Sequence, residues 1–289
     1  MPEKTLKHFV LIRFFTHQAS RYPYDIFDVE FLQMQLSLAQ NNVLKSLENQ
    51  TNKNFEIIFI ANDKYFFDSK YEFIFSTLRN STTLPLKFIK VHQLEDKAKY
   101  LLKQSELTEL IKDAYNKYDF VIQSAIDFDD FIYKDAVADT QSKINSCNGI
   151  LGYGYCRGYT YINGELYKYG LLCKGRGHHS IFQSLIWKSS FAKNLELIGL
   201  HSFQHTKFKI VIENFLKENG IAFMENMFEQ NKSTRAYIYF RHEFSREHTK
   251  KWGTADLKSP KRLPLTTADI TKGQLASEFG FHYDLKSIK

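Results

Sequence analysis

The chain has 289 residues, of which 43% are hydrophobic, so it can bury the core of one large α/β domain or of a core domain with a smaller appendage. Its formal net charge of +7 favours anionic partners such as nucleotides, nucleic acid or acidic lipid headgroups. The three cysteines lack CxxC spacing, which argues against a disulfide framework, and no run approaches the roughly 20 apolar residues that span a bilayer.

The first part of the chain carries alternating strand and helix signals. An apolar run from His8 to Phe15 predicts a buried strand with Arg13 near its carboxyl end. The run from Phe55 to Ile60, which ends at Asn62-Asp63, predicts a second strand. Between these runs, apolar residues at three- and four-residue steps predict one face of a long helix. These apolar positions are Val29, Leu32, Leu36, Ala39, Val43 and Leu47.

The same alternation continues as far as an acidic stretch. A third strand is predicted from Leu86 to Val91, then a helix through Leu101 to Ile111, then a strand that starts at Phe120 and ends in carboxylates. Strands alternating with helices predict an α/β fold, a Rossmann-type, mostly parallel sheet with helices on both faces. Ligands of such sheets bind beyond the carboxyl ends of the strands. The polar residues at these ends are therefore expected in one crevice: Arg13, Asp63, Asp127 and Asp129.

Asp127, Asp129 and Asp130 place three like charges directly after a buried strand. Such charges repel, and a divalent cation or a bound polar ligand most readily compensates them. The alternative is a solvated turn that caps the next helix, which is predicted from Ile132 toward Ile144. In that case Asp130 is the N-cap.

The second part of the chain has a different texture. An Asn163-Gly164 pair between alternating aromatic segments predicts a β-hairpin. Its tyrosines either stack on a bound sugar ring or pack on one face: Tyr159, Tyr161, Tyr167 and Tyr169. Lys174 and Arg176 lie in a Gly-rich basic loop, either a solvated connector or a lid over a diphosphate. A helix is predicted from His205 to Glu218.

Three segments in the correct order resemble GT-A-fold glycosyltransferases. Asn42 to Ile60 carries an S-L-x-x-Q-T-x-x-x-F-E pattern like that of family 2-type enzymes, and Asp127-Phe128-Asp129-Asp130 stands where they carry their DxD motif. Gly158 to Tyr169 is similar to the hairpin of the bacterial rhamnosyltransferase group within that superfamily. The resemblance covers most of residues 8 to 245. It implies a donor-binding half at 1–130 and an acceptor-binding half at 131–248, and we expect a basic, loosely ordered tail at 249–289.

The resemblance also implies roles for the strand-end residues. Asp129 would coordinate Mn²⁺ or Mg²⁺, Asp127 would contact the metal or the donor ribose, and Asp130 would support the site or bind the sugar. Asp63 stands where related enzymes bind the nucleobase, although it is equally a turn residue. Arg13 carries a rigid donor fork that suits a diphosphate or base, unless it forms a buried ion pair with one of these carboxylates.

An inverting transferase also needs a general base near the acceptor hydroxyl. The resemblance favours His205, because related enzymes place a base in this region. Other residues that could serve are Glu213, His178, His179 and Glu165.

The resulting hypothesis is a metal-dependent transferase that moves rhamnose or another deoxy sugar from a nucleotide-sugar donor to a glycan or lipid-linked glycan of a bacterial capsule or lipopolysaccharide. Such a protein is expected in the cytoplasm, with basic C-terminal residues near the inner membrane and no nucleic-acid partner. One alternative is a nucleotidyl- or phosphotransferase that uses the same carboxylates. Another is a non-catalytic glycan- or nucleic-acid-binding module.

Overall fold

A computed structural model describes residues 4–15, 25–91, 105–162, 164–170, 182–193, 195, 208–241, 266–267 and 269–283. The strands are β1 (Leu6–Phe14), β2 (Glu56–Asn62), β3 (Leu86–Val91), β4 (Phe120–Asp127), β5 (Phe131–Ile132), β6 (Ile150–Ile162), β7 (Glu165–Gly170), β8 (Gln183–Lys188), β9 (Phe228–Arg241) and β10 (Thr266–Thr267). The α-helices are α1 (Val29–Ala39), α2 (Lys45–Glu48), α3 (Lys64–Phe67), α4 (Glu72–Asn80), α5 (Ser105–Lys117), α6 (Ala136–Ser142), α7 (Ser189–Ala192), α8 (Phe208–Glu218) and α9 (Lys272–Phe279).

The first four strands are parallel and lie in the order β3-β2-β1-β4. Their apolar sequences suit burial on both faces, which parallel strands require. From β1 the chain moves to β2 on one side and later to β4 on the other, so the gap between β1 and β4 is a topological switch point. In open α/β sheets, ligands bind at the carboxyl ends of the strands beside such a point. The α/β fold class predicted from sequence is confirmed.

The remaining strands extend the same sheet beyond β4. Strand β8 pairs antiparallel with β4 and β6, and β6 pairs with β7 as an antiparallel hairpin. Gly164 lies in its turn with φ of 87°, a conformation that favours glycine, so the predicted hairpin is confirmed. Strand β9 runs parallel to β6 and also pairs with the short β5.

Helices cover both faces of the sheet. Val10 and Ile12 of β1 face a core that includes residues of α1, α4 and α6, whereas Phe9 and Leu11 face a core that includes residues of α5 and α8. This separation follows from the period-two alternation of side chains along a strand. Among the described residues, no helix has the length and apolar character needed to cross a membrane.

The predicted long helix is present but contains an irregularity. Asp28 caps its start by accepting a hydrogen bond from the Phe31 N–H at 2.7 Å. Between α1 and α2, Gln40–Leu44 forms a π-helical turn, so the helical path continues from Val29 to Glu48. Such turns occur frequently at functional sites.

Two expectations are wrong in part. The helix predicted from Ile132 begins only at Ala136, because Phe131 and Ile132 are buried in pairs with β9 instead. The tail predicted to be loosely ordered contains α9, which begins with a Thr271–Gln274 capping box. Residues 269–283 bury several apolar side chains against the hairpin and β9, a contact that local sequence does not reveal. These are Ile270, Leu275, Phe279 and Phe281.

Candidate functional site

Arg13 and Asp127 meet at the carboxyl ends of β1 and β4. The two residues are direct partners in the parallel register. Arg13 Nε donates to Asp127 Oδ1 at 2.9 Å, and Arg13 Nη2 contacts the same oxygen. The Arg13 side chain is 14% exposed and that of Asp127 is 30% exposed, so the pair remains partly accessible at the carboxyl ends of the strands. The ion-pair alternative for Arg13 is thus the observed arrangement, and contact with a diphosphate stays a prediction.

The turn after β4 is anchored by its apolar residue. The Asp130 N–H donates to the Asp127 carbonyl at 3.3 Å, which closes the turn. The Phe128 ring lies 5.1 Å from that of Phe14 and 5.4 Å from that of Phe15. Because Phe128 is directed into this cluster, the flanking carboxylates are held at the sheet edge. Asp129 is half-buried there.

Phe15, just after β1, has an unusual backbone. It has a φ of 47° although it is not glycine, and it is buried. This region costs an ordinary residue roughly 1–2 kcal/mol, so the surrounding aromatic packing must hold it. The strained residue therefore lies two positions after Arg13, beside the turn from Asp127 to Asp130, which we call the carboxylate turn.

Asp130 is buried below the turn. Its Oδ1 accepts the Phe240 N–H at 3.0 Å, and its Oδ2 has no hydrogen-bond partner in the described part of the chain. Burial, followed by the charges of Asp129 and Asp127, raises the pKa of Asp130 well above its ordinary value. The capping alternative is wrong for this residue, because α6 begins at Ala136 after Asp135. Any catalytic role of Asp130 stays a prediction.

The end of β2 provides a second part of the sheet edge. Asn62 is buried, and its Oδ1 accepts the Lys64 N–H at 3.1 Å, while Asp63 is half-buried at the start of α3. Lys64, the next residue, lines an open pocket of about 400 Å³. It is lined by Phe27, Lys64, Phe67, Asp68, Lys70 and Tyr71. The role of Asp63 toward a nucleobase stays a prediction, because Asp63 is not among the residues that line this pocket.

Two of the residues predicted to serve as the general base, Glu213 and Glu165, belong to the described part of the chain. Glu213 is half-buried on α8, where its carboxylate lies 3.9 Å from Lys209 Nζ. Glu165 begins β7 and accepts a hydrogen bond from the Tyr167 hydroxyl. The other candidates for the general base, His205, His178 and His179, lie outside the described residues, as do Lys174 and Arg176 of the loop predicted to cover a diphosphate. Their roles stay predictions.

Aromatic residues of the hairpin are packed inward. The Tyr161 ring stacks on the Phe240 ring at 4.6 Å with an interplanar angle of 8°, and Tyr159 is buried against Phe279. The packing alternative is therefore the observed one for Tyr159 and Tyr161. The Tyr169 side chain is not among the described parts of the structure.

Sequence analysis missed a set of hydrogen bonds made by Gln50 and Thr51, which follow the long helix; we call this set the clamp. Buried Gln50 donates to the Tyr133 carbonyl at 2.9 Å and accepts the Val137 N–H at 3.1 Å. The Thr51 N–H donates to the Lys134 carbonyl at 2.8 Å. The Gln-Thr pair of the sequence pattern thus holds the segment that follows the carboxylates.

Asn42 extends this clamp to the carboxylate turn itself. It is fully buried in the π-helical turn, and its Nδ2 donates to the Asp129 carbonyl at 2.6 Å. The available signal was a polar residue within the apolar face formed by Ala39 and Val43. A buried amide at such a position needs hydrogen-bond partners.

The donor set of the turn suits a hard divalent cation. Carboxylate oxygens are the ligands that Mg²⁺ and Mn²⁺ prefer, and a buried oxygen of Asp130 is unpaired among the described residues. Within those residues, however, no group of three His, Cys, Asp or Glu side chains forms a self-contained metal site. A cation held by Asp127 and Asp129 would therefore need further oxygen ligands, which donor phosphates can supply.

No known family profile matches the chain, and no characterised protein matches it by sequence. Solved structures are similar in chain path. TarS residues 1–349 from S. aureus share 12% identity, with a TM-score of 0.41, over 81% of this chain and 60% of that one. A Bacillus anthracis protein provisionally named a glucose-1-phosphate thymidylyltransferase shares 13% identity over 85% and 93%, with a TM-score of 0.41. Mouse xyloside xylosyltransferase 1 shares 12% over 78% and 85%, with a TM-score of 0.37.

Proposed function

We propose that the chain is a glycosyltransferase that takes its sugar from a nucleotide-sugar donor. The observation that carries this proposal is the meeting of Arg13 and Asp127 at the switch point between β1 and β4, with Asp129 in the following turn. This is the position in an open α/β sheet where a ligand binds. Lys64, the residue after Asp63, lines a pocket with aromatic rings and lysines that would accommodate part of the nucleotide.

The residues suit the departure of a nucleoside diphosphate. Negative charge grows on the diphosphate as the bond to the sugar breaks, and the Arg13 guanidinium would bind its oxygens through two N–H groups. The bound Mn²⁺ or Mg²⁺ would supply further positive charge. Asp127 and Asp129 would hold the cation, while the ion pair with Arg13 orients Asp127.

A narrower version of this proposal concerns the acceptor and the sugar. In an inverting reaction a base removes the proton of the acceptor hydroxyl as the sugar is transferred, and His205 or Glu213 would serve. We propose rhamnose or another deoxy sugar as the donor sugar and a bacterial surface glycan as the acceptor. These choices rest on the motif resemblance.

Thermal-shift measurements test donor binding directly. The protein is heated with UDP, dTDP, GDP or CMP, each with and without Mn²⁺. A ligand present at about 100 times its Kd stabilises the fold by about 2.7 kcal/mol, or on the order of 5 °C for a chain of this size. Asp129→Asn should abolish the metal-dependent part of the shift. Asp113→Asn is the matched control, because Asp113 forms an exposed ion pair with Lys117 on α5.

The nature of the product separates the proposal from its rivals. A glycosyltransferase incubated with the matching nucleotide sugar releases a nucleoside diphosphate or monophosphate. Consumption of a nucleoside triphosphate would instead identify a nucleotidyl- or phosphotransferase. If no nucleotide stabilises the wild type, or if Asp129→Asn leaves the metal-dependent shift intact, the proposed site is wrong.

A further inference from the structure

The carboxylate turn is tied to the C-terminal segment through a single buried amide. Asn42 Nδ2 donates to the Asp129 carbonyl at 2.6 Å, and Asn42 Oδ1 accepts from the Tyr283 hydroxyl at 2.7 Å. A carbonyl can only accept, so the amide nitrogen must face Asp129. The amide oxygen then faces Tyr283, and the hydroxyl must be the donor. The direction of both hydrogen bonds is therefore set by chemistry.

The π-helical turn places Asn42 between these two partners. Asn42 is 0% exposed, and the next two residues of the turn, Val43 and Leu44, are buried as well. Burying an amide is costly unless its donor and its acceptor are both used. Here each has a partner outside the helix, so the buried asparagine links two distant parts of the chain at little cost.

The C-terminal segment, residues 269–283, is held in place by hydrogen bonds and by close packing, so Tyr283 has a fixed position beside Asn42. The Lys134 N–H donates to the Glu278 carbonyl at 2.7 Å, and Asn49 Nδ2 donates to the Ser277 carbonyl at 3.1 Å. At the end of α9, Gly280 has a φ of 68°, and a Cβ there would lie 3.2 Å from the Lys45 carbonyl oxygen. The close approach of α9 to the long helix therefore favours glycine at this point.

Tyr283 reaches the turn by a second route. Its ring lies 4.9 Å from the ring of Phe240, the residue whose N–H binds Asp130. Burial, and then the proximity of Tyr161, raises the pKa of Tyr283 to about 12, so the hydroxyl keeps its proton at neutral pH. One side chain thus contacts the supports of both Asp129 and Asp130.

We propose that Asn42 and Tyr283 are positioning residues for the donor site, and that residues 269–283 complete that site by holding the backbone of the carboxylate turn. This inference rests on the proposed function, because it assigns Asp129 to the donor and its cation. Neither residue is placed in contact with the donor. They act on the turn through the Asp129 carbonyl and through Phe240.

Two variants test the relay, by which we mean the two hydrogen bonds that join Tyr283 to Asn42 and Asn42 to the Asp129 carbonyl. Tyr283→Phe removes the hydroxyl and keeps the ring, while Asn42→Asp keeps the size but turns a second oxygen toward the Asp129 carbonyl. Tyr153→Phe is the matched control, because it removes a hydroxyl that donates to Asp139 at 2.5 Å on another part of the sheet. The loss of one hydrogen bond predicts about a tenfold weaker affinity for Mn²⁺ with nucleoside diphosphate in Tyr283→Phe. Tyr153→Phe should leave it unchanged.

A second background distinguishes positioning from general destabilisation. In Asp129→Asn, the Tyr283→Phe change should no longer alter nucleotide affinity, because the carboxylate that it positions is gone. In steady-state assays the change should raise the donor KM more than it lowers kcat. Equal affinities in Tyr283→Phe and Tyr153→Phe, or an undiminished effect in the Asp129→Asn background, would overturn the relay.

Hydrogen exchange keeps this proposal separate from the proposed function. Amides of residues 127–133 should exchange faster in Tyr283→Phe than in Tyr153→Phe, whether or not the protein binds nucleotides. A wild type without a metal-dependent nucleotide shift overturns the proposed function, and the exchange rates then decide whether the relay holds the turn. Unchanged exchange would refute the relay even in an active transferase.

Discussion

Acidification is expected to destabilise the fold through His8 on β1. The side chain is 1% exposed, and its Nε2 lies 2.8 Å from Ser124 Oγ, which lies 2.6 Å from Ser184 Oγ. Its Nδ1 lies 3.3 Å from the amide nitrogen of Gln141, which can only donate. Nδ1 is therefore the acceptor and Nε2 carries the proton, so a second proton has no place in the folded state.

The magnitude follows from the pKa of His8. Burial lowers this pKa from 6.5 to about 3. Between these values the unfolded chain binds a proton that the folded chain does not, so the free energy of unfolding falls as the pH falls. From pH 7.5 to pH 5 the loss is about 2 kcal/mol, and it approaches about 5 kcal/mol near pH 3. The stabilising contribution is complete only above about pH 6.5.

Urea unfolding at pH 7.5 and pH 5 measures this loss, with His8→Gln as the reference. Glutamine can still donate to Ser124 but does not titrate. Other groups with shifted pKa values, including Asp130, titrate in both proteins and cancel in the difference. The stability advantage of the wild type over His8→Gln should shrink by about 2 kcal/mol at the lower pH. A difference that stays constant between the two pH values would refute the buried neutral histidine.

Three further changes test other parts of the structure. Gly158→Ala should destabilise by about 1–3 kcal/mol in urea unfolding, because a Cβ would collide with the Tyr237 ring and lie 2.5 Å from its carbonyl oxygen. Gly273→Ala, whose nearest atom is 3.9 Å away, should be neutral or stabilising, and equal losses in the two variants would contradict the packing. Gln50→Ala should cost about 2–4 kcal/mol, whereas exposed Asn41→Ala should stay within about 0.5 kcal/mol; similar costs would rule out the clamp. EDTA should remove the metal-dependent part of the nucleotide-induced thermal shift and excess Mn²⁺ should restore it, so a shift of the same size in EDTA and in Mn²⁺ would exclude the metal-dependent part of the proposal.

Patterns within short windows account for the elements that sequence analysis placed correctly. The apolar runs of β1, β2, β3 and β4, the helical spacing from Val29 to Leu47 and the Asn163-Gly164 turn are all local signals. Convergence of strand ends also followed, because parallel strands end at the same edge of a sheet. This reasoning placed Arg13 and Asp127 at the same end of the sheet, although the sequence did not give the register in which β1 pairs with β4.

Contacts between distant segments decided the rest. The pairing of β5 with β9 overrode a helical pattern, and the docking of residues 269–283 gave order to part of a tail, residues 249–289, whose overall composition is basic. The burial of Asp130 likewise depends on the Phe240 N–H, which lies far along the chain. Local propensity is worth tenths of a kcal/mol per residue, whereas burial of one large apolar side chain is worth about 1.5–3 kcal/mol.

The sequence by itself therefore determined the alternating α/β architecture, the hairpin and the position of the carboxylates at a strand end, because these depend on periodicity and on residues adjacent in the chain. Only the tertiary structure decided that Asp127 pairs with Arg13, that Asp130 is buried, and that Asn42 joins the turn to Tyr283. The Asn42–Tyr283 contact spans 241 residues along the chain, a separation at which no local pattern carries a signal. Hydrogen bonds of this kind exist only after the apolar faces have brought the segments together.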